Sequence, residues 1–543
     1  MTERCSGGVV VIAALIASLG PAAAVAQGTI EGTVTFWGDS GTGTQVEVAA
    51  HQQLLGPPDA NTFVALPGGA YSIPVADGTY YIAALMSPDG VFGEPRSKDV
   101  LAWYDGDGDG DPDTVTVSGG AASGIDIDLG FVYVDIDATG ANDGSSWVNA
   151  FTDLQNGIDL AVPGIEVWAA EGTYVPGANR SDSFVAKAGV RVYGGFAGGE
   201  TSRLGRDWNA HPTILSGEIG TAAATDNCYH VVRADGANTS AMLNGLTITR
   251  GYANGAGNDG HGGGVRAVGG GISLVNVSLS DNYAGQYGGG IYTDSPATVY
   301  AVNCRFQGNQ AVMHGGGASI DAAAPTPSVV LNGVFTGNAA WRGGGIAVEG
   351  QVFAPGLQPQ LVNLSLSGNS AGGEGGGIFT NTTTYSPPGG APIHVDNCIL
   401  WGNTGPNPQI SFFGGTDQPV VSYSLVQGGW AGPGSNNLSS DPSFADGELR
   451  LTLDSPAIDA ADCTLIPQDI VDLDEDHFTD HPTEKDLDMN WRRENMPHVP
   501  DTGVPDDEGR TPDMGAYETV DPALIFWNGF ESGGTDEWQV TVP

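Results

Sequence analysis

An all-β chain is predicted: a right-handed parallel β-helix (a solenoid) preceded by a small β-sandwich. Two periodic series predict the solenoid. Glycine triplets begin at Gly262, Gly288, Gly315, Gly343 and Gly375, in steps of 26, 27, 28 and 32 residues. An asparagine series runs in phase with them: Asn282, Asn309, Asn338, Asn369 and Asn403. Self-similarity at such a period is the mark of a repeat array. A third observation predicts the sandwich. Short segments of alternating polarity, separated by Gly/Asp turns, fill residues 28–130.

Each slot of the repeat has a physical reading. Val265, Ile291, Ala318, Ile346 and Ile378 follow the triplets, and Ala267, Thr293, Ile320, Val348 and Thr380 stand two places on. A spacing of two marks a strand with one face inward. Leu279, Phe306, Phe335, Leu366 and Leu400, three places before each Asn, form a second inward position. Ala284, Ala311, Ala340 and Ala371, two places after it, are small where the backbone bends close to the core. Glycine supplies backbone conformations closed to other residues, and Asn tolerates the left-handed region. Stacked coils, about 4.8 Å apart, would also let the Asn side chains bond one another into a ladder. One coil cannot bury its apolar face alone, but a stack can.

The phrases Leu279-Ser-Asp-Asn282, Phe306-Gln-Gly-Asn309 and Phe335-Thr-Gly-Asn338, with the Gly-Gly-Gly-Ile tracts, resemble the repeats of polymorphic outer-membrane proteins. They are equally similar to many bacterial secreted β-helix repeat proteins. The resemblance spans residues 132–518 and implies a fold rather than an activity.

The 543 residues suit a solenoid with accessories. Glycine, at 85 residues, would indicate disorder if it lacked a period. Lysine plus arginine number 18 against 63 acids, a formal charge of −45. No basic stripe exists to neutralise phosphates, which excludes a general nucleic-acid role. The same charge disfavours strongly anionic polymers unless cations bridge them.

Residues 1–26 read as a secretory signal peptide: Arg4, an apolar core from Val9 to Leu19, and a small-residue cleavage site at Ala24-Val25-Ala26. The apolar run is too short to span a bilayer, so no transmembrane span is expected in the mature chain. A secreted or cell-surface location follows. Cys304 and Cys398 share a repeat slot three coils apart, about 14 Å, too far to bridge. They are expected to be reduced and buried. The pairing of Cys228 and Cys463 stays open.

In residues 28–130, the Ile30-Glu-Gly-Thr-Val opening and Asp77-Gly-Thr-Tyr-Tyr resemble carboxypeptidase-regulatory-like domains. Within this module Asp105, Asp107, Asp109, Asp111 and Asp113 alternate with Gly or Pro. Oxygen ligands at every second residue, with glycine at the sixth position, suit Ca²⁺. An EF-hand would want Glu at the twelfth position, where Thr116 stands, so a looser calcium site is expected. The competing reading is a solvated acidic turn.

The solenoid is expected over residues 131–440. Ala150, Leu154, Ile158 and Ala161 have amphipathic helical spacing, and this helix is placed over the open N-terminal end. Residues 441–520 form a closing segment. Asp486-Leu-Asp-Met-Asn490 and Asp513-Met-Gly-Ala-Tyr-Glu518 resemble the ending of secreted β-helices with a choice-of-anchor segment. Asp472, Asp474, Asp476 and Asp480 are a second candidate cation cluster or a charged exposed loop. Residues 521–543 resemble a short C-terminal tag of exported Gram-negative proteins, and no outer-membrane barrel pattern follows.

Chemistry is weakly signalled. Asn258-Asp259-Gly260-His261-Gly262 superficially matches the Gly-His-Gly of polygalacturonases, but Gly262 is already a repeat glycine. Met313-His314 precedes another triplet in the same place, which marks an exposed slot rather than a base. Tyr252, Tyr283, Tyr287, Trp341 and Trp401 at coil loops either stack on sugar rings or cover the core. The expected function is therefore an adhesin or carbohydrate-contacting surface protein, with glycans or neighbouring surface proteins as partners. The alternative is a polysaccharide lyase or glycoside hydrolase. A lateral cleft holding two or more acids and a base would favour the enzyme.

Overall fold

The computed structural model describes residues 28–520, apart from 38–44, 55–57, 88–91, 93–99, 108–111, 222, 353–355, 385–391, 414–417, 472, 474–482, 484, 493–494 and 497–498. The leader, the C-terminal tag and all of the Asp472/Asp474/Asp476/Asp480 cluster lie outside the described residues.

The chain winds as a right-handed parallel β-helix with three long sheets along its axis. The first sheet runs from Ile127–Val134 to Val420–Ser422, the second from Gly172–Tyr174 to Leu425–Val426, the third from Phe184–Val185 to Ile410–Phe412. Successive coils pair in parallel and in register, so equivalent repeat slots lie side by side: Leu279 beside Phe306, then Phe335, Leu366 and Leu400. All five are fully buried. The rings of Phe306 and Phe335 stack at 4.2 Å and 4°. Burying one such side chain contributes about 1.5–3 kcal/mol, which a lone coil could not collect.

The first glycine of each triplet has φ between +61° and +68°. At Gly315 an added Cβ would lie 2.4 Å from the Ala318 carbonyl oxygen, so only glycine turns the chain here.

The Asn ladder exists. Asn309 Nδ2 donates to Asn338 Oδ1 (3.0 Å), and Asn338 Nδ2 donates to Asn369 Oδ1 (2.9 Å). The left-handed residue of this corner is not the Asn, however, but its predecessor: Asp281, Gly308, Gly337, Gly368 and Gly402 have φ from +54° to +74°. The ladder Asn must face inward to bond both neighbours, and the preceding residue takes the bend. A second Asn row stands six places upstream. Asn276, Asn303, Asn332, Asn363 and Asn397 are themselves left-handed, with φ of +52° to +57°, at the corner between the first and second sheets.

The helix is Leu154–Leu160, shorter than its pattern, because Phe151 is taken into a bridge with Val134. Asp153 caps it by accepting the Gln155 N–H. Leu154 and Ile158 close the end of the solenoid core. Gln155 Oε1 accepts the N–H of Val185 at 2.8 Å, occupying the edge of the third sheet.

The N-terminal module joins the solenoid through a shared strand. Ile127–Val134 pairs in parallel with Gly28–Trp37 on one side and with Ile165–Ala170 on the other. Its alternating side chains divide between two cores: Val132 and Val134 face the solenoid, whereas Leu129, Phe131 and Tyr133 face the module. Phe131, Trp168 and Phe196 continue that second core along the outside of the first coils, with ring centroids 4.0 and 4.8 Å apart. An antiparallel five-stranded sheet covers it as the second layer of the sandwich.

The described residues of 441–519 fold back along the solenoid over the second Asn row. Val471 and Leu473 pack on Val302, Leu331 and Val362, and Ala457 and Met514 pack on Ile399. Asn303, Asn332 and Asn397 donate to the carbonyls of Asp486, Lys485 and Asp462 at 2.6–2.9 Å. Beneath this segment Arg492 and Glu518 are both wholly buried, 3.8 Å apart. Burial and the neighbouring Asp513 push the Asp459 carboxyl up to about 7. Burial pushes Asp513 up to about 6. Among the described residues, Cys228, Cys304, Cys398 and Cys463 are buried thiols in no disulfide. Among the described residues no helix is long and apolar enough to cross a membrane.

Candidate functional site

Two places gather chemistry-bearing side chains. The first is the acidic loop of the module. Asp105, Asp107 and Asp113 have ligand oxygens within 4.8 Å of one another. Asp109 and Asp111 lie outside the described residues. Asp113 Oδ2 accepts the N–H groups of Gly106 (2.8 Å) and Asp107 (3.2 Å), which closes the loop. Thr116 is taken into the strand Thr114–Val117, where its hydroxyl meets Thr79. Asp107 also shares a cavity of about 270 Å³ with Asp126 and Asp128. Oxygens this close suit one Ca²⁺ with ligands about 2.3–2.6 Å away. For an extracellular-type site with Kd about 10⁻⁴–10⁻³ M, 10 mM Ca²⁺ is expected to stabilise the module by about 1.4–2.7 kcal/mol. Equal melting temperatures in calcium and in chelator would refute the site.

The second place is the outer face of the third sheet. Three rows of side chains run along it. Tyr287, His314 and Arg342 are in register just before the glycine triplets. Tyr292, Ser319, Ala347 and Phe379 form the next row. Two residues further along each strand stand Asp294, Asp321, Glu349 and Asn381. The middle row is what shapes the surface. Ser319 and Ala347 are small where the flanking coils carry Tyr292 and Phe379. A cup of about 170 Å³ opens over Ser319, and its lining includes Tyr287, Tyr292, Asp321, Glu349 and Gly350, whereas Ala347 and Phe379 are wholly buried outside it. Gly350 has a φ of +113°, which favours glycine, and its lack of a side chain leaves room for Asp321 Oδ1.

The acids are held differently. Glu349 Oε2 lies 2.6 Å from His314 Nδ1, and its Oε1 accepts from Asn381 Nδ2 at 3.3 Å. Asp321 accepts backbone N–H groups from Ala323 (2.7 Å) and Ser295 (3.2 Å). Those bonds favour its charged form, yet burial, reinforced by Asp294 and Glu349, wins and raises its carboxyl above the usual range. His261 stacks on Tyr292 (4.6 Å) and Tyr287 (5.2 Å). Burial holds its imidazole below its ordinary value, so the ring is neutral near pH 7.

The slot before the triplets is therefore not exposed. His261 and His314 are each only 9% accessible. Neighbouring rings cover both, and Glu349 bonds His314. Of the aromatic residues read from the sequence, Tyr287 lines the cup, while Tyr252 and Tyr283 stack on each other at 4.5 Å. Trp341 is 55% exposed, whereas Trp401 packs against buried Ile399 and its neighbours. Glu349 and Tyr292 went unrecognised. Their signal was present: the position two after each triplet reads Arg, Tyr, Ser, Ala, Phe, a size step inside an otherwise regular repeat.

No family model matches the chain, and no curated protein matches it. Among solved structures it is similar to the pectate lyase Pel9A at 13% identity, over 72% of this chain and 96% of that one, with a TM-score of 0.29. It is similar to a rhamnogalacturonan lyase at 13% identity, over 58% and 90%, with a TM-score of 0.28. A family 28 exopolygalacturonase of Yersinia enterocolitica gives 10% identity, 72% and 88%, and a TM-score of 0.15. Likeness at this level assigns no chemistry to any residue.

Proposed function

We propose that this is an exported, surface-associated β-helix protein that holds a neutral glycan in the cup on its third sheet. One observation carries the reading: a cup of about 170 Å³ over Ser319, with Tyr287 and Tyr292 in its lining and the acids Asp321 and Glu349 beside them. Flat rings facing a polar edge suit a sugar, which presents an apolar ring face and hydroxyl donors. The net charge of −45, with Asp294, Asp321 and Glu349 at the cup, selects against a polyuronate. A second reading, cleavage of the bound chain, is favoured by the two acids on adjacent coils. Calcium at the acidic loop and a role in adhesion belong to the same proposal.

The test is retention of the mature chain on insoluble neutral polysaccharides and a glycan array. The native chain is expected to be retained. Tyr292→Ala is expected to weaken retention about tenfold, the equivalent of about 1.4 kcal/mol of lost ring contact. Failure of every neutral glycan to bind, or an unchanged Tyr292→Ala, would remove the cup as the site.

A further inference from the structure

Resting on the glycan-binding reading, the geometry points to a retaining glycoside hydrolase, with Glu349 as nucleophile and Asp321 as acid and base, acting on a neutral polysaccharide.

Asp321 and Glu349 are direct partners on neighbouring parallel strands, and both side chains line the cup. Neighbouring strands stand about 4.8 Å apart. Cleavage through a covalent intermediate needs two carboxyl groups about 5–5.5 Å apart, whereas direct attack by water needs about 6.5–9.5 Å to seat that water. An in-register pair on adjacent coils matches the first spacing more closely than the second.

The two environments divide the roles. His314 and Asn381 each bond one oxygen of Glu349, which fixes the direction of its carboxylate. They are positioning residues. Asp321 is driven toward its protonated form by burial, reinforced by the carboxylates of Asp294 and Glu349. One carboxyl held by two side-chain donors beside a second that favours its proton is the pattern of a nucleophile and an acid. A lyase is disfavoured, because it must accept a uronate and stabilise a carbanion beside its carboxylate. Here Asp294, Asp321 and Glu349 already occupy that edge.

The reaction balances with water as the only co-reactant. A Glu349 oxygen attacks the anomeric carbon while the bond to the leaving oxygen breaks. Asp321 gives that oxygen its proton, leaving a glycosyl ester on Glu349. Asp321, now a carboxylate, takes a proton from water as the water oxygen attacks the same carbon. The ester breaks, Glu349 is restored, and the sugar hydroxyl forms with the original configuration.

The probes are 2,4-dinitrophenyl 2-deoxy-2-fluoro glycosides of glucose, galactose and xylose, applied to the full mature chain. Neutral polysaccharides are assayed in parallel for retention and for released reducing ends. Expected are a fluoroglycosyl mass increment on the peptide carrying Glu349, its loss in Glu349→Gln, and products of retained configuration by NMR. Asp321→Asn is expected to slow release from unactivated polysaccharide by about 10²–10⁴-fold, and to leave glycosylation by the dinitrophenyl probe largely intact, since that leaving group needs no proton. Native chain that retains a glycan but neither cleaves it nor takes label would overturn the hydrolase assignment and leave the binding reading standing. Label on another residue, or inverted product, would also overturn it. Absence of both retention and cleavage would overturn the two together.

Discussion

Asn338→Ala is expected to split the solenoid's melting into separate transitions and to remove on the order of 5 kcal/mol or more from its central coils. The side chain is fully buried and makes four hydrogen bonds. Its Oδ1 accepts from Asn309 N and Asn309 Nδ2, both at 3.0 Å. Its Nδ2 donates to Phe306 O at 2.8 Å and to Asn369 Oδ1 at 2.9 Å. Alanine leaves all four partners stranded where water does not reach. Each stranded group costs about 1–3 kcal/mol, although shared relaxation keeps the sum from being additive. Whole domains are stable by only about 5–15 kcal/mol. Because each coil touches only its neighbours, the loss is local and uncouples the coils on either side. Hydrogen exchange should show protection lost around residues 306–370 first. Gln310→Ala, at an exposed position in the adjoining short strand, is the control and should stay within about 0.5 kcal/mol. A single undivided transition with an unchanged midpoint in Asn338→Ala would show that the ladder contributes nothing.

Arg492→Ala is expected to release residues 441–519 from the flank while the coils stay folded. The guanidinium is wholly buried, and its Nη2 donates to Asn332 Oδ1 (2.7 Å) and Gly515 O (2.8 Å). Its removal takes the Arg492 cation from beside the buried acids Glu518 and Asp486, and breaking such a pair costs about 3–5 kcal/mol. Limited proteolysis should then cut within 441–519 and leave a resistant core. The release should also depend on pH. Asp459, pushed up to about 7, and Asp513, pushed up to about 6, hold protons more tightly folded than unfolded. Their contribution to docking is full below about pH 4 and is lost as pH rises through 6–7. Cleavage of the variant is therefore expected to be faster at pH 8 than at pH 5. Equal resistance of native and variant chains would refute the lock.

Much of the coil was legible because one slot repeats one physical demand. The glycine before Ile346 and the Phe335 three places before Asn338 answer the same steric question in every coil. The bend was misplaced at the Asn because Asn and Gly both favour left-handed backbone. Only the ladder geometry shows that Gly337 turns and Asn338 bonds. The second Asn row, at Asn303 and Asn332, had the same period and passed unread, since nothing local shows that it bonds a segment 153–183 residues away. The closing segment was recognised by resemblance but not placed, because it has no period. The cup was illegible for another reason. Asp321 and Glu349 are 28 residues apart in sequence and become neighbours only once the register of the third sheet is set. The acidic loop was the reverse case: its carboxylates are close in sequence, and the three that are described, Asp105, Asp107 and Asp113, also stand close in space.

The strand Ile127–Val134 leaves the module no hinge. Its hydrogen bonds run unbroken from Gly28–Trp37 into the first coils, and its two faces are locked in different cores. A pull on the N-terminal side would load these parallel bonds in shear, all at once, rather than peel them one by one. The module and the coils would then turn as one stiff rod. Whatever grips the module sets the bearing in which the cup faces its surroundings.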